Sequence, residues 1–76
     1  MTTTLREAPV GPRLLVTTVD SGAAPARRLA ELGLRPGALI RSLRRTAGGG
    51  RILDIGGARV ALGYDLVEAI GVEEVR

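Results

Sequence analysis

The stretch ARRLAELGLRPG, residues 26–37, decides how this 76-residue chain is organised. Its apolar residues recur at spacings of three and four, which predicts an amphipathic helix with one buried stripe. Gly33 follows at the position where a glycine commonly ends a helix in a left-handed conformation, and in that ending the next residue contacts the third-last helical residue. We therefore predict that Leu34 packs on Leu29 and holds the helix end against the core. The predicted stripe is Ala26, Leu29, Ala30 and Leu32.

Signals for breaks in the chain lie on both sides of this helix. Pro25 suits the first turn of a helix, where its missing N–H group costs no hydrogen bond, and either Ser21 or Ala24 could provide the N-cap. After the helix, Pro36 and Gly37 suit the two central positions of a turn. We therefore predict that the chain leaves the helix, turns sharply and enters an extended strand.

Strand signals cover most of the remaining sequence. β-Branched residues are frequent in residues 13–20, as they are in strands. Gly56-Gly57 separates two apolar runs by the two residues of a tight hairpin. Residues 63–70 predict one helical turn with Asp65 as its cap. The predicted strands are Arg13–Asp20, Ala38–Thr46, Arg51–Ile55, Ala58–Leu62 and Gly71–Val75.

The order of these elements indicates a small, mainly β domain. A strand is followed by the helix, by three more strands, by the helical turn and by a last strand. Short strands joined by tight turns favour a closed or nearly closed barrel, because closure hides the edges of the sheet. A chain of 76 residues has room for one domain, predicted over residues 1–76. Its core must be aliphatic, because Tyr64 is the single aromatic residue.

The composition excludes several classes of chemistry. The sequence contains no cysteine and no histidine, so it offers neither a nucleophile–imidazole pair nor the strong ligands of a zinc site. We therefore predict a protein that is not an enzyme and that has no cofactor and no bound metal. Its hydrophobic runs are too short to cross a membrane, and its first residues lack the apolar core of a signal peptide. These features predict a cytoplasmic location.

Eight carboxylates remain as candidates for acid–base or metal chemistry. Asp65 and Glu68 lie three residues apart, and Glu73 and Glu74 are adjacent. Solvated surface charges together with a helix cap explain this spacing better than an acid–base dyad does. A site for Fe²⁺ or Mg²⁺ made of carboxylates alone would be weak and open.

The 11 basic residues are all arginine and leave a net charge of +3, which suits an acidic partner. Arg27 and Arg28 lie beside the apolar stripe of the predicted helix, and Arg35 follows its end. Two interpretations stay open for these residues. The helix is either a cover for the core with exposed arginines, or a docking face on which Arg27, Arg28 and Arg35 meet another protein.

Four further arginines flank the glycine-rich loop 47–50 and form a second basic surface. A solvated strand face is the favoured interpretation, and binding of nucleic acid through phosphate contacts is the alternative. Small barrels that bind single strands usually add stacking aromatic residues, and Tyr64 alone provides little stacking. We therefore predict no nucleic-acid partner. The four residues are Arg41, Arg44, Arg45 and Arg51.

The segment RRLAELGLRPG, residues 27–37, resembles the hallmark of the FeoA family, small cytoplasmic proteins of bacterial ferrous iron transport. That hallmark is a basic residue and a leucine, then a Leu-Gly-Leu or Leu-Gly-Met step, then x-Pro-Gly leading into a strand. Leu5 with APVG, residues 8–11, resembles the opening region of the family, and residues 58–73 resemble its C-terminal segment. The resemblance therefore covers almost the whole chain. The matching hallmark residues are Arg28, Leu29, Leu32, Gly33, Leu34, Pro36 and Gly37.

This resemblance implies a small SH3-like barrel of five strands with a helical insertion after the first strand. It also implies an accessory of FeoB, the membrane Fe²⁺ transporter with a cytoplasmic nucleotide-binding domain. The accessory would act by protein–protein contact and would not itself insert into the membrane. Two departures affect the middle hairpin. The loop at residues 47–50 lacks the usual proline, and Ser42 stands where an apolar strand residue is common.

A second function stays open beside this one. The same barrel occurs as the C-terminal domain of metal-dependent transcriptional repressors. A free-standing copy could therefore bind a peptide or a repressor instead of a transporter. The absence of a helix-turn-helix in this sequence argues against direct repression of transcription.

Overall fold

The fold is known from a computed structural model that describes residues 3–75. Met1, Thr2 and Arg76, which belong to the predicted domain 1–76, lie outside the described residues. The described chain forms six strands, two helices and one short 3-10 turn at Ala47–Gly49. The elements are β1 (Thr3–Thr4), β2 (Arg13–Val19), α1 (Ala23–Glu31), β3 (Leu39–Arg45), β4 (Arg51–Ile55), β5 (Ala58–Leu62), α2 (Tyr64–Glu68) and β6 (Ile70–Glu74).

All six strands belong to one antiparallel sheet with the order β1-β6-β2-β3-β4-β5. The mainly β, SH3-like fold expected from the sequence is therefore confirmed. The expected number of five strands is wrong by one, because Thr3–Thr4 pairs with β6. Two residues are too few to show an alternating pattern, so β1 has no signal in the sequence. The helix consequently follows the second strand instead of the first.

The core is aliphatic and receives side chains from every strand longer than two residues. Leu5 and Ala8, in the segment between β1 and β2, are fully buried. The Leu5 amide donates to the carbonyl of Ile70 over 2.8 Å, which holds this segment against β6. The buried apolar residues are Leu5, Ala8, Leu14, Val16, Leu29, Leu34, Ile40, Leu53, Ile55, Leu62, Val67, Ile70 and Val72.

Both helices begin differently from the sequence-based expectation. The residue that caps α1 is Gly22, not Ser21 or Ala24, and it forms no side-chain cap hydrogen bond. Gly63 caps α2, and Asp65 lies inside its first turn. A carboxylate at that position still interacts favourably with the positive end of the helix dipole. Glycine is an acceptable cap because backbone conformation alone lets the chain enter the helix.

The end of α1 has the geometry that its sequence predicts. The amide of Leu34 donates to the carbonyl of Leu29 over 2.9 Å, and the amide of Gly33 donates to that of Ala30 over 2.9 Å. These are the two hydrogen bonds of a Schellman motif. Gly33 has φ +93°, and a Cβ atom there would lie 3.0 Å from Cγ2 of Ile55. Leu29 and Leu34 are both buried, so the helix end is anchored in the core.

The turn at Pro36 and Gly37 joins this helix end to the sheet. The Ala38 amide donates to the Arg35 carbonyl over 3.0 Å, and Gly37 has φ +94°, as expected for the third residue of a type II turn. The Gly37 amide donates to the carbonyl of Val16 over 2.8 Å, and the Val16 amide donates to Ala38 over 2.9 Å. These hydrogen bonds therefore fix the position of the start of β3 relative to β2.

Candidate partner-binding site

The three arginines predicted to meet a partner all lie at the surface. Arg27 and Arg28 are exposed on α1, and Arg35 is exposed in the turn after it. Within residues 3–75, none of the three forms an ion pair. The only acidic residue of α1 is Glu31, which is also exposed. The helix therefore presents a face with more basic than acidic residues and no ion pair among the described residues, and its use in binding stays a prediction.

An open apolar groove of about 470 Å³ runs between α1 and β5, beside this basic face. Arg28 is the single charged residue among those that line it. The rest of the lining is aliphatic and comes from α1 and its C-terminal cap, from β5 and from α2. The lining residues are Ala24, Pro25, Arg28, Leu29, Leu32, Val60, Ala61, Leu62 and Leu66.

The position of Leu32 corrects the predicted stripe. Its side chain is 48% exposed, whereas that of Leu29 is 3% exposed. Leu32 is the C-cap of α1, where the chain already leaves the helix. The Schellman hydrogen bonds then turn the backbone so that Leu34 enters the core in its place. Leu32 is consequently a large apolar side chain on the rim of the groove.

The second basic surface is also smaller than the sequence suggests. Arg41, Arg44 and Arg45 are exposed, but Arg51 is only 1% exposed. Its guanidinium donates to the hydroxyl of Ser42 over 2.8 Å and to the backbone carbonyl of Arg6 over 2.6 Å. The loss of water around the buried guanidinium lowers the pKa of Arg51, and repulsion from Arg45, its cross-strand neighbour, lowers it further.

The alternation of β4 carries the signal for this burial. Arg51, Leu53 and Ile55 occupy alternate positions of the strand and are all buried. Side chains two residues apart share one face of a sheet. The first residue of β4 therefore belongs to the core face, and the sequence interpretation missed it because arginine is rarely buried without an ionic partner.

The carboxylates do not gather into a site. At the surface, the Arg6 guanidinium donates a hydrogen bond to the Glu68 carboxylate over 2.8 Å, and the two side chains form a salt bridge. The Arg6 guanidinium also lies 5.5 Å from the centre of the Tyr64 ring, within the range of a cation–π contact. Among residues 3–75, no group of three or more metal-ligating side chains is arranged to hold a metal ion. Neither described helix is long and apolar enough to span a bilayer.

Comparisons with known proteins show which proteins share this architecture. Residues 3–74 match the FeoA domain. A crystal structure of an iron uptake regulatory protein, FeoA, is 29% identical with a TM-score of 0.85, and the alignment covers 99% of both chains. The solution structure of FeoA from Chlorobium tepidum is 31% identical with a TM-score of 0.87, over 97% of this chain and 71% of that one.

Repressors are similar as well. ScaR with bound Zn²⁺ is 25% identical with a TM-score of 0.83, and the alignment covers 95% of this chain but only 36% of ScaR. No curated protein sequence gives a significant match. The match to the FeoA domain runs from the first strand to the last, and it includes the helix end, the turn and the sheet described above. The chain therefore belongs to the FeoA family, whose members are involved in iron uptake.

Proposed function

We propose that this protein is a non-catalytic accessory of bacterial ferrous iron uptake that acts in the cytoplasm by binding the cytoplasmic region of an FeoB-type transporter. The observation that carries this proposal is the combination at α1 of an unpaired basic face with an open apolar groove. Protein–protein interfaces are enriched in arginine and combine an apolar core with a polar rim. Membership of the FeoA family supports iron uptake as the process in which this surface is used.

The chemistry of the described residues supports binding as the role. The chain has no histidine or cysteine, and Asp65 and Glu68 are exposed. A protein with this inventory contributes to transport by presenting a surface, with Arg27, Arg28 and Arg35 as the proposed polar contacts.

Direct binding to the transporter tests the proposal. The cytoplasmic region of the FeoB-type transporter from the same organism would be immobilised and exposed to the folded protein in biolayer interferometry. We expect saturable binding that weakens as salt is raised, because exposed charges are screened. Absence of binding at every salt concentration would contradict the proposal. A strain lacking this protein should in addition take up less or more Fe²⁺ than its parent.

The likeness to ScaR favours one second candidate. The region of ScaR that resembles this chain makes up about a third of ScaR. We infer as the alternative that this chain binds a peptide or a repressor by the same surface. An immobilised metal-dependent repressor of the same organism would then capture the protein while the transporter region would not.

A further inference from the structure

The outer edge of the sheet at β5 is free. β5 is the last strand in the sheet order and pairs with β4 alone. Within residues 3–75, no other backbone hydrogen bond reaches β5. An edge strand of this kind offers unpaired N–H and C=O groups to another chain, and natural proteins usually cover or blunt such an edge.

The register identifies which groups are free. Ile55 and Ala58 close the two-residue turn and pair with each other, and the pair that closes such a turn exchanges its backbone hydrogen bonds. Along β5, hydrogen-bonded positions alternate with positions whose groups point outward. Ala58, Val60 and Leu62 therefore face β4. The amide and carbonyl groups of Arg59 and Ala61 point away from the sheet.

This free edge borders the apolar groove. Val60, Ala61 and Leu62 form one wall, and α1 with Leu32 forms the other. A strand added to β5 would lie about 5 Å from it and would occupy the space between β5 and the helix. Its alternate side chains would enter the groove, where the lining is aliphatic. The intervening side chains would point to the opposite face of the extended sheet.

The charges around the free edge indicate which side chains an added strand would carry. Arg28 lines the groove without an ion-pair partner among the described residues. On the opposite face, Ala61 borders a depression that also contains Arg44 and Arg59. Asp54 is the cross-strand neighbour of Arg59, and its carboxylate accepts a hydrogen bond from the Gly57 amide. Arginines therefore lie on both sides of the free edge.

We propose that β5 binds an extended peptide segment of a partner protein by strand addition, with apolar residues of the segment in the groove and acidic residues at the intervening positions. Backbone hydrogen bonds of Arg59 and Ala61 would pair the segment with β5. Pockets for alternate side chains of the segment would provide specificity, as in other cases of strand addition. The assignment of this segment to the transporter rests on the proposed function. The binding mode itself rests only on the geometry of β5 and the groove.

A selection from random seven-residue peptides displayed on phage tests the binding mode without the transporter. We expect enriched peptides that alternate apolar with acidic residues. Ala61→Pro removes one outward amide and leaves the pairing with β4 intact, so it should weaken binding of an enriched peptide about tenfold. Ala61→Ser retains the amide and serves as the matched control. Circular dichroism would establish that both variants are folded.

Hydrogen exchange of the wild-type protein gives a second readout that needs no variant. On addition of an enriched peptide, the amides of Arg59 and Ala61 should become protected, while those of Ala58, Val60 and Leu62 are already protected in the free protein. Failure to enrich any peptide, enrichment of peptides with helical spacing, or unchanged exchange at Arg59 and Ala61 would overturn the proposal.

Competition separates this inference from the proposed function. The cytoplasmic region of the transporter should displace the enriched peptide if both proposals hold. If the peptide binds in the expected mode and the transporter region does not displace it, strand addition stands and the transporter is not the partner at this site. If the transporter region binds while Ala61→Pro and the exchange of Arg59 are without effect, the proposed function stands and strand addition is wrong.

Discussion

The guanidinium of Arg51 donates to the hydroxyl of Ser42 across 2.8 Å in the interior of the protein, and both side chains are fully buried. No carboxylate of residues 3–75 forms an ion pair with this arginine. Instead its second contact is the Arg6 carbonyl, in the segment that leads from β1 to β2. One side chain of β4 thus joins β3 to the N-terminal segment, and Ser42 supplies the polar atom that an apolar residue would lack.

Replacement of Arg51 should destabilise the protein strongly. Arg51→Met leaves the buried Ser42 hydroxyl and the partly buried Arg6 carbonyl without their donor, and we expect it to lower the free energy of unfolding by about 2–4 kcal/mol. Ser42→Ala leaves the buried cation without one acceptor and should cost about 1–3 kcal/mol. Because the two side chains interact, the double variant should cost less than the sum by about 1 kcal/mol or more. Urea unfolding of the four proteins measures this cycle.

Arg44→Met is the matched control, because Arg44 lies in the adjacent strand and is exposed. The same change of side chain at the surface should alter stability by no more than about 0.5 kcal/mol. Additive effects of the Arg51 and Ser42 substitutions would show that their hydrogen bond contributes nothing to stability.

The left-handed glycine at the end of α1 should not tolerate a side chain. Gly33→Ala imposes an unfavourable φ and brings a Cβ atom to 3.0 Å from Cγ2 of Ile55, so we expect a loss of about 1–3 kcal/mol. Gly37→Ala imposes a similar φ of +94° but meets no atom within 4 Å. Thermal unfolding should therefore rank the Gly33 variant below the Gly37 variant. Equal melting temperatures would mean that contact with Ile55 is relieved without cost.

Local patterns account for the parts of the fold that the sequence predicts correctly. The ending of α1, the Pro36-Gly37 turn and the Gly56-Gly57 hairpin each depend on residues within a few positions of one another. The Gly56-Gly57 signal between two apolar runs predicts β4 and β5 with their observed bounds. Such features need no knowledge of distant contacts, because glycine conformation and side-chain periodicity determine them.

One error concerns a residue whose environment is set by distant parts of the chain, and the other concerns a residue at the end of the helix. Arg51 is buried because Ser42 and the Arg6 carbonyl accept its hydrogen bonds, and Arg6 is 45 positions away in sequence. Leu32 is exposed because the helix end turns Leu34 into the core. The groove that Leu32 borders also needs β5, whose position follows from strand order. A helical stripe alone does not show which of its members faces a neighbouring strand.

Charge reversal on α1 should weaken partner binding and leave the fold intact. Arg27 and Arg28 are exposed and unpaired among the described residues, so their replacement by glutamate should change stability by about 0.5 kcal/mol at most for each site. In Arg27→Glu/Arg28→Glu, repulsion replaces attraction to an acidic partner, which slows association most at low salt. Biolayer interferometry with the transporter region measures the association rate at low and moderate salt.

The control for charge reversal is Arg41→Glu/Arg45→Glu, which makes the same change of charge at two exposed positions of β3. It should retain most of the wild-type association rate. Equal rates for wild type and the α1 variant, combined with a slow rate for the β3 variant, would move the docking surface to the hairpin.

The two leucines of the helix should separate folding from binding. Leu29 is 3% exposed and Leu32 is 48% exposed, although both belong to the predicted stripe. Leu29→Ala creates a cavity and should cost about 2–4 kcal/mol, whereas Leu32→Ala removes surface area and should cost less than about 1 kcal/mol. Leu32 nevertheless borders the groove, so its truncation should weaken binding of the transporter region several-fold.

Leu43→Ala, at an exposed apolar residue of β3 outside the groove, is the control for a general loss of apolar surface. Urea unfolding and biolayer interferometry on the three variants test both halves of this prediction. Equal destabilisation by the Leu29 and Leu32 variants would contradict the observed exposure, and equal binding by the Leu32 and Leu43 variants would exclude the groove as the docking site.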